Sequence, residues 1–187
     1  MQKIALIALA ASAAIATPAI AAAQNVTGTI NLTGSVAGRC SIQTSGGSTF
    51  ADTVAFGELA ATNGTLRTGL ATQFDTRSAS VVCTTAAPMI TVAANALKAS
   101  TPVTATGYAD RIDFTASVAV VTTGTSPAPF SNASGVPPVA VAIGGRLANS
   151  ANNINITTSN YHTAATNDLL VADPTYTGSV IVTITPA

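Results

Sequence analysis

Charge is what this sequence has least of: seven Lys and Arg stand against seven Asp and Glu in 187 residues. At 7% charged residues the chain falls far below the roughly 25% of an ordinary soluble domain. A formal net charge of zero removes the clustered cations that nucleic-acid binding needs, so nucleic acid is not an expected partner. Catalytic side chains are equally scarce, with one His (His162), one Glu (Glu58), two Cys and no Trp. No G-x-S-x-G elbow and no C-x-x-C pair occurs. His162 lies in the polar run SNYHTAATND, which reads as a solvated loop. Asp110 and Asp113 flank Arg111 in ADRID, too few oxygen ligands for calcium, and read as a surface turn. No enzyme, metal or cofactor is expected from such an inventory. The apolar share of 48% excludes a disordered tail, which pairs low hydrophobicity with high net charge. A structural or binding protein remains.

The N-terminus carries an export pattern. Lys3 is a positive n-region, Ile4–Ile15 an apolar h-region, and Ala21-Ala22-Ala23 a small-residue exit after Pro18. That order predicts a signal peptide over 1–23, cleaved before Gln24. A membrane anchor is the rival reading, but about half of Ile4–Ala23 is Ala, and no basic stop-transfer cluster follows. Removing 23 residues from 187 leaves 164, enough for one domain with a real core. The only cysteines are Cys40 and Cys83. In an exported chain they most simply form one disulfide, worth about 4 kcal/mol in the chain-entropy account.

Thr and Val dominate the mature chain, and Gly and Pro punctuate it at short intervals, which is all-β composition. Strands are expected at Val26–Val36, Cys40–Gln43, Thr53–Gly57, Ala79–Thr84, Met89–Ala94, Ile112–Val121, Val139–Ile143 and Ser179–Thr185. Thr122–Pro138, with four prolines, is expected to be a loop, while Ala60–Thr76 and Ala148–Asp173 are open. From Val26 to Ile42 every even position is apolar or Gly, and the odd positions are polar except Ala37. One strand of that length would span roughly 60 Å, against a radius of gyration of about 15 Å for the whole domain. The chain must therefore break, and Gly34 and Gly38 are the expected places. That leaves Val26–Leu32 as an apolar-faced arm without an obvious partner. It either folds back on a sheet edge of its own domain or pairs with another molecule by strand addition.

The arm VTGTINLTGSVAGRC (Val26–Cys40), the DTVAFGEL segment (Asp52–Leu59), the SASVVC strand (Ser78–Cys83) and the ending YTGSVIVTITPA (Tyr176–Ala187) together resemble a chaperone–usher pilin subunit. The ending is most similar to the spore-coat-protein-U-like, or archaic, branch of that family. The resemblance implies an incomplete immunoglobulin-like sandwich, completed by a donor strand from a neighbouring subunit. It implies three domains of sequence: a signal peptide over 1–23, a donor arm over 24–36 and a sandwich over 37–187. Donor positions would be Val26, Gly28, Ile30, Leu32 and Gly34, with the two glycines at small-residue pockets. Cys40 and Cys83 match the family's disulfide position. Val180, Val182 and Ile184 would line the acceptor groove and pair with a periplasmic chaperone. Implied partners are neighbouring pilin subunits in a head-to-tail homopolymer, that chaperone and an outer-membrane usher. The implied setting is the periplasm in transit and then a cell-surface pilus serving adhesion or biofilm formation. Two features depart from the pattern: Pro186, which has no amide donor near the end of the last strand, and the small number of aromatics.

A tip adhesin would need a second, receptor-binding domain, for which 164 residues leave no room. A secreted monomeric sandwich that binds carbohydrate or matrix is the alternative if the arm pairs within its own domain.

Overall fold

The structure, a computed structural model, describes residues 27–43 and 45–187. The expected leader Met1–Ala23 and the first donor position, Val26, lie outside the described residues. The chain divides at Gly34–Ser35 into two units. In the first, residues 27–34 are exposed and carry no helix or strand. The second unit is all-β. Its strands are β1 (Cys40–Ile42), β2 (Arg77–Ala79), β3 (Val81–Cys83), β4 (Met89–Ala99), β5 (Tyr108–Ala109), β6 (Arg111–Val120), β7 (Phe130–Ala133), β8 (Val141–Ala142), β9 (Ile154–His162), β10 (Leu169–Leu170) and β11 (Tyr176–Thr185), with one five-residue helix, α1 (Leu70–Phe74).

All strand pairs are antiparallel except the short β5–β10 pair. β4 and β6 meet only at Leu97↔Ile112 and Lys98↔Arg111, and then part. From that corner β4 runs beside β11, with β8 on its other flank at Met89–Ile90. β6 instead runs between β7 and β9, with β2 beyond β9. Period-2 alternation decides which side chains go inward. Ile90, Val92 and Ala94 of β4 join Phe114, Ala116, Val118 and Val120 of β6 and Ile154 and Ile156 of β9 in one buried cluster. Sheets that part at a corner and share a core are consistent with a β-sandwich.

Several expected elements differ from those observed. Residues 53–57 form no strand, and the side chains of Arg67 and Gln73 rather than a ladder take up the carbonyls of Ala55 and Phe56. β7 lies inside the expected loop 122–138, directly after Pro129, and needs no amide from any of the four prolines. β9 was not legible because Thr158 holds a buried position, where its hydroxyl accepts from Tyr161 Oη at 2.8 Å. His162 ends that strand rather than sitting in a loop. Arg111 and Asp113 open β6 and pair at 2.6 Å, in place of the expected turn.

Ser80 interrupts one run of chain that serves two partners. β2 pairs with β9, whereas β3 pairs with β1 through Cys40↔Cys83 and Ile42↔Val81, and the two cysteines are disulfide-bonded. Past the Ala79↔Ile154 pair the β2–β9 ladder stops, and the fully buried Asn153 takes over with its side chain. Its Nδ2 donates to the Val81 carbonyl at 2.6 Å and to the Ala148 carbonyl at 2.7 Å, while Oδ1 accepts from the Val81 amide at 2.8 Å. The amide thus replaces a strand backbone at the crossing. Asn153→Ala orphans both main-chain groups of Val81 and is expected to cost on the order of 3 kcal/mol, read as a lower urea midpoint.

A second prediction concerns acid. Burial pushes the Asp113 carboxyl up, but hydrogen bonds from Arg111 and Ser134, with the charges of Arg111 and His162, outweigh it and hold it below the usual range. With the folded pKa under the unfolded value of about 3.9, this stabilisation is complete above that value and is lost as pH falls through the folded pKa. Asp113→Asn is expected to flatten that part of the acid limb in pH-dependent unfolding.

Candidate functional site: an uncovered lane beside the terminal strand

β11 lies against β4 from Tyr176↔Ala99 to Thr185↔Met89. Directly opposed residues share a face, so Val180, Val182 and Ile184 face the core beside Ala94, Val92 and Ile90. Those β4 residues are 5%, 5% and 1% exposed, yet their partners on β11 are only half-buried. Side chains at the same level on the same face differ only in what flanks them. β4 has β11 on one side and, on the other, β8 at Met89–Ile90, the Asn132 side chain on the Val92 carbonyl and β6 at Leu97–Lys98, whereas among the described residues β11 has a strand on a single side. Along its other edge β11 presents unpaired main-chain N–H and C=O groups.

The same gradient recurs on β1. Cys40 and Ile42 are half-buried and pack on the same cluster as Val180, Val182 and Ile184, while their opposites on β3, Cys83 and Val81, are buried. The chain leading into β1 and the chain leaving β11 meet at one end, where a side chain added at Gly38 would come within 3.2 Å of Pro186. Thr84 fixes this junction, its hydroxyl donating to the Ala37 carbonyl and accepting from the Arg39 amide. Toward Val180 the lane opens into a cleft of about 1450 Å³, walled by residues 50–60, by Arg77 and Ser78, and by residues 170–180.

An aromatic group floors this wide end. β9 carries one extra residue against β6 between Asp113↔His162 and Thr115↔Ser159. Asn160 sits there at φ 53, a backbone region that Asn tolerates better than most residues. The bulge reverses the strand's alternation and turns Tyr161 inward, stacked on Phe114 at 5.3 Å with Phe56 edge-on at 5.8 Å. Burial raises the pKa of the Tyr161 hydroxyl. Burial, then the charges of Asp173 and Asp110, raise that of Tyr176. Both phenols are therefore neutral over the whole physiological range, and the cleft combines this aromatic floor with charged groups on its walls, Asp52, Glu58, Arg77 and Asp173.

The outer wall is held by side chains. Arg67 donates to the carbonyls of Phe56 and Glu58 and to Gln73 Oε1, and Gln73 Nε2 donates to the carbonyls of Ala55 and Phe56. Asp52 pairs with Arg77 at 3.2 Å across the cleft margin, both side chains largely solvated. These partners were missed in the sequence because Arg67 and Gln73 lie 6–18 residues from the groups they bind and belong to no motif.

Of the expected site residues, Val180, Val182 and Ile184 lie along the lane and the Cys40–Cys83 disulfide forms its β1 border. Gly28, Ile30, Leu32 and Gly34 are exposed, with Ile30 and Leu32 at 86% and 91%. Among the described residues no three His, Cys, Asp or Glu side chains gather as a metal site would require. No protein family, curated protein or solved structure matches the chain.

Gly178 sets the lip of the cleft. β4 carries one extra residue against β11 between Thr177↔Lys98 and Ser179↔Asn95, and a Cβ on Gly178 opposite this bulge would lie 2.8 Å from the Asn95 carbonyl, 2.9 Å from the Leu97 amide and 3.0 Å from the Ala96 carbonyl. All three are main-chain atoms of β4 and cannot rotate away. Gly178→Ala is expected to cost about 1–3 kcal/mol of stability and to speed amide exchange over Tyr176–Ser179.

Proposed function

We propose that this chain is a structural subunit of a surface fibre assembled by strand exchange. The mature domain is an incomplete immunoglobulin-like sandwich, and the lane beside β11 takes the N-terminal arm of another copy. The observation that carries this reading is the exposure gradient across one register, buried on β4 and half-exposed on β11. That is the signature of a sheet one strand short, and the unpaired edge beside it is a template for strand addition.

The arm supplies a matching strand. Its apolar face includes Ile30 and Leu32, both highly exposed, and burying these with Val26 is worth roughly 4–9 kcal/mol before main-chain bonds. An arm at one place filling a groove at another is a heterologous contact, which propagates as an open head-to-tail fibre rather than closing.

The wider setting rests on the family resemblance. Export by residues 1–23 brings the chain to the periplasm, a chaperone covers the β11 edge, and an outer-membrane usher exchanges that cover for the next arm. A physical need supports the first step, because an unfilled apolar edge is an aggregation hazard. Adhesion or biofilm formation is the role this assembly would serve. The second reading is a secreted monomeric sandwich binding carbohydrate or matrix, for which the aromatic cleft is the specific support. There Tyr161 stacks on Phe114 and meets Phe56 edge-on.

Mature chain purified from periplasm, with and without Gln24–Leu32, tests the proposal on SDS gels before and after boiling. A heat-sensitive ladder is expected for the full chain and none for the truncated one. A monomer that is stable under native conditions without a chaperone sinks the strand-exchange reading and leaves the monomeric one.

A further inference from the structure

Lysine occurs twice in the sequence, once in the expected leader and once as Lys98. Lys98 stands directly opposite Arg111 where β4 and β6 meet, and opposite Thr177 on its β11 flank. Opposed residues share a face, and like charges set opposite each other destabilise a ladder. The neighbouring pair, Leu97 and Ile112, is buried, so Lys98 and Arg111 lie on the outer face of the sheet. Two of the six cations outside the leader are thus placed side by side.

The two cations are held differently. Asp113 accepts from Arg111 Nε at 3.0 Å and from Nη2 at 2.6 Å, which orients the guanidinium. Gly135, at φ 85, makes room for it, since a Cβ there would lie 2.9 Å from Arg111 Nη2. The ion pairs among the described residues are Asp52–Arg77 and Asp113–Arg111, which leave the Lys98 amine without one. Beside these cations lies a shallow hollow of about 500 Å³, whose other polar lining is Asn95, Thr177 and Ser179. Asn95 Nδ2 donates to Ser179 Oγ at 2.9 Å, so the serine hydroxyl keeps its own proton for another acceptor. The rest of the lining is Ala and Gly, and it includes no carboxylate.

We propose that this hollow binds the carboxylate of an acidic saccharide. Lys98 supplies the charge, Arg111 an oriented guanidinium, and Asn95, Thr177 and Ser179 the contacts to sugar hydroxyls. With Arg111 neutralised by Asp113, the one uncompensated positive charge matches one carboxylate. A protein partner fits less well, because protein interfaces centre on large apolar or aromatic anchors. The hollow offers nothing apolar larger than Ala. The proposal does not depend on the strand-exchange reading. Lys98 and Arg111 lie on the outer face, whereas Val180, Val182 and Ile184 face the core, so filling the lane leaves the hollow open.

Equilibrium dialysis of the full mature chain tests it and reads binding whether or not copies associate. The probes are labelled trigalacturonate, neutral maltotriose and a triglutamate peptide. Trigalacturonate is expected to be retained in preference to both, and less so as salt is raised. Lys98 is exposed, so its variants are expected to keep the thermal midpoint of the unaltered chain. Lys98→Gln is expected to weaken binding about tenfold, as for the loss of one charged hydrogen bond, and Lys98→Arg to restore it. Arg146→Gln, which removes an exposed cation elsewhere, is expected to change nothing. No retention of trigalacturonate, or equal retention of maltotriose, overturns the site. Equal losses in Lys98→Gln and Arg146→Gln also overturn it, because the binding is then a diffuse charge effect. Triglutamate held as tightly as trigalacturonate overturns the saccharide and assigns the hollow to an acidic protein partner.

Discussion

Among the described residues β11 has a strand on one flank only, and its inward side chains are not dry. Most of what is distinctive in this structure follows from that single deficit. The β4 ladder fixes the register of β11 and so fixes which of its residues face the core. Those residues are then left half-wet, at a depth where their opposites on β4 are fully buried. With a charged share of 7%, the chain has little polar side chain with which to blunt such an edge, the usual remedy in soluble β proteins. A strand from elsewhere, as in the proposed assembly, would be another remedy.

The rest of the fold keeps this lane open instead of letting it collapse. At one end the Gly38–Pro186 approach and the Thr84 hydrogen bonds hold the two borders in place. At the other, Gly178 lets β11 lie tightly against the β4 bulge, and the Arg67–Gln73 pair holds the base of the outer wall. Asn153 sits behind both, letting one stretch of chain serve β9 before Ser80 and β1 after it. The groove is thus a product of polar side chains that stand in for missing main-chain partners, at Val81 and along 55–58.

Much of this was legible from residues alone. The alternation in Val180, Val182 and Ile184 placed the last strand, and Cys40 and Cys83 gave the disulfide. The alternation in Ile112–Val121 located the central strand to within a residue at each end. Illegible features share a physical cause: the backbone there is satisfied by something other than a regular ladder. Residues 53–57 have the pattern of a strand but are held by the side chains of Arg67 and Gln73. β9 has a buried Thr and a bulge that shifts its alternation at Asn160, so a fixed period of two loses it. α1 is one turn long, too short for any helical period to register. The arm's alternation is clear in the sequence, yet residues 27–34 form no strand.

The place where the arm leaves the domain has a mechanical consequence. The disulfide at Cys40 lies only six residues past Gly34, and β1 itself is three residues long. A pull on the arm would therefore peel at most the chain up to Arg39. Beyond that point the load passes into a covalent bond to Cys83, and from there into β3 and the buried core. In a fibre of the kind proposed, the length of slack in each link would be set by the position of one cysteine.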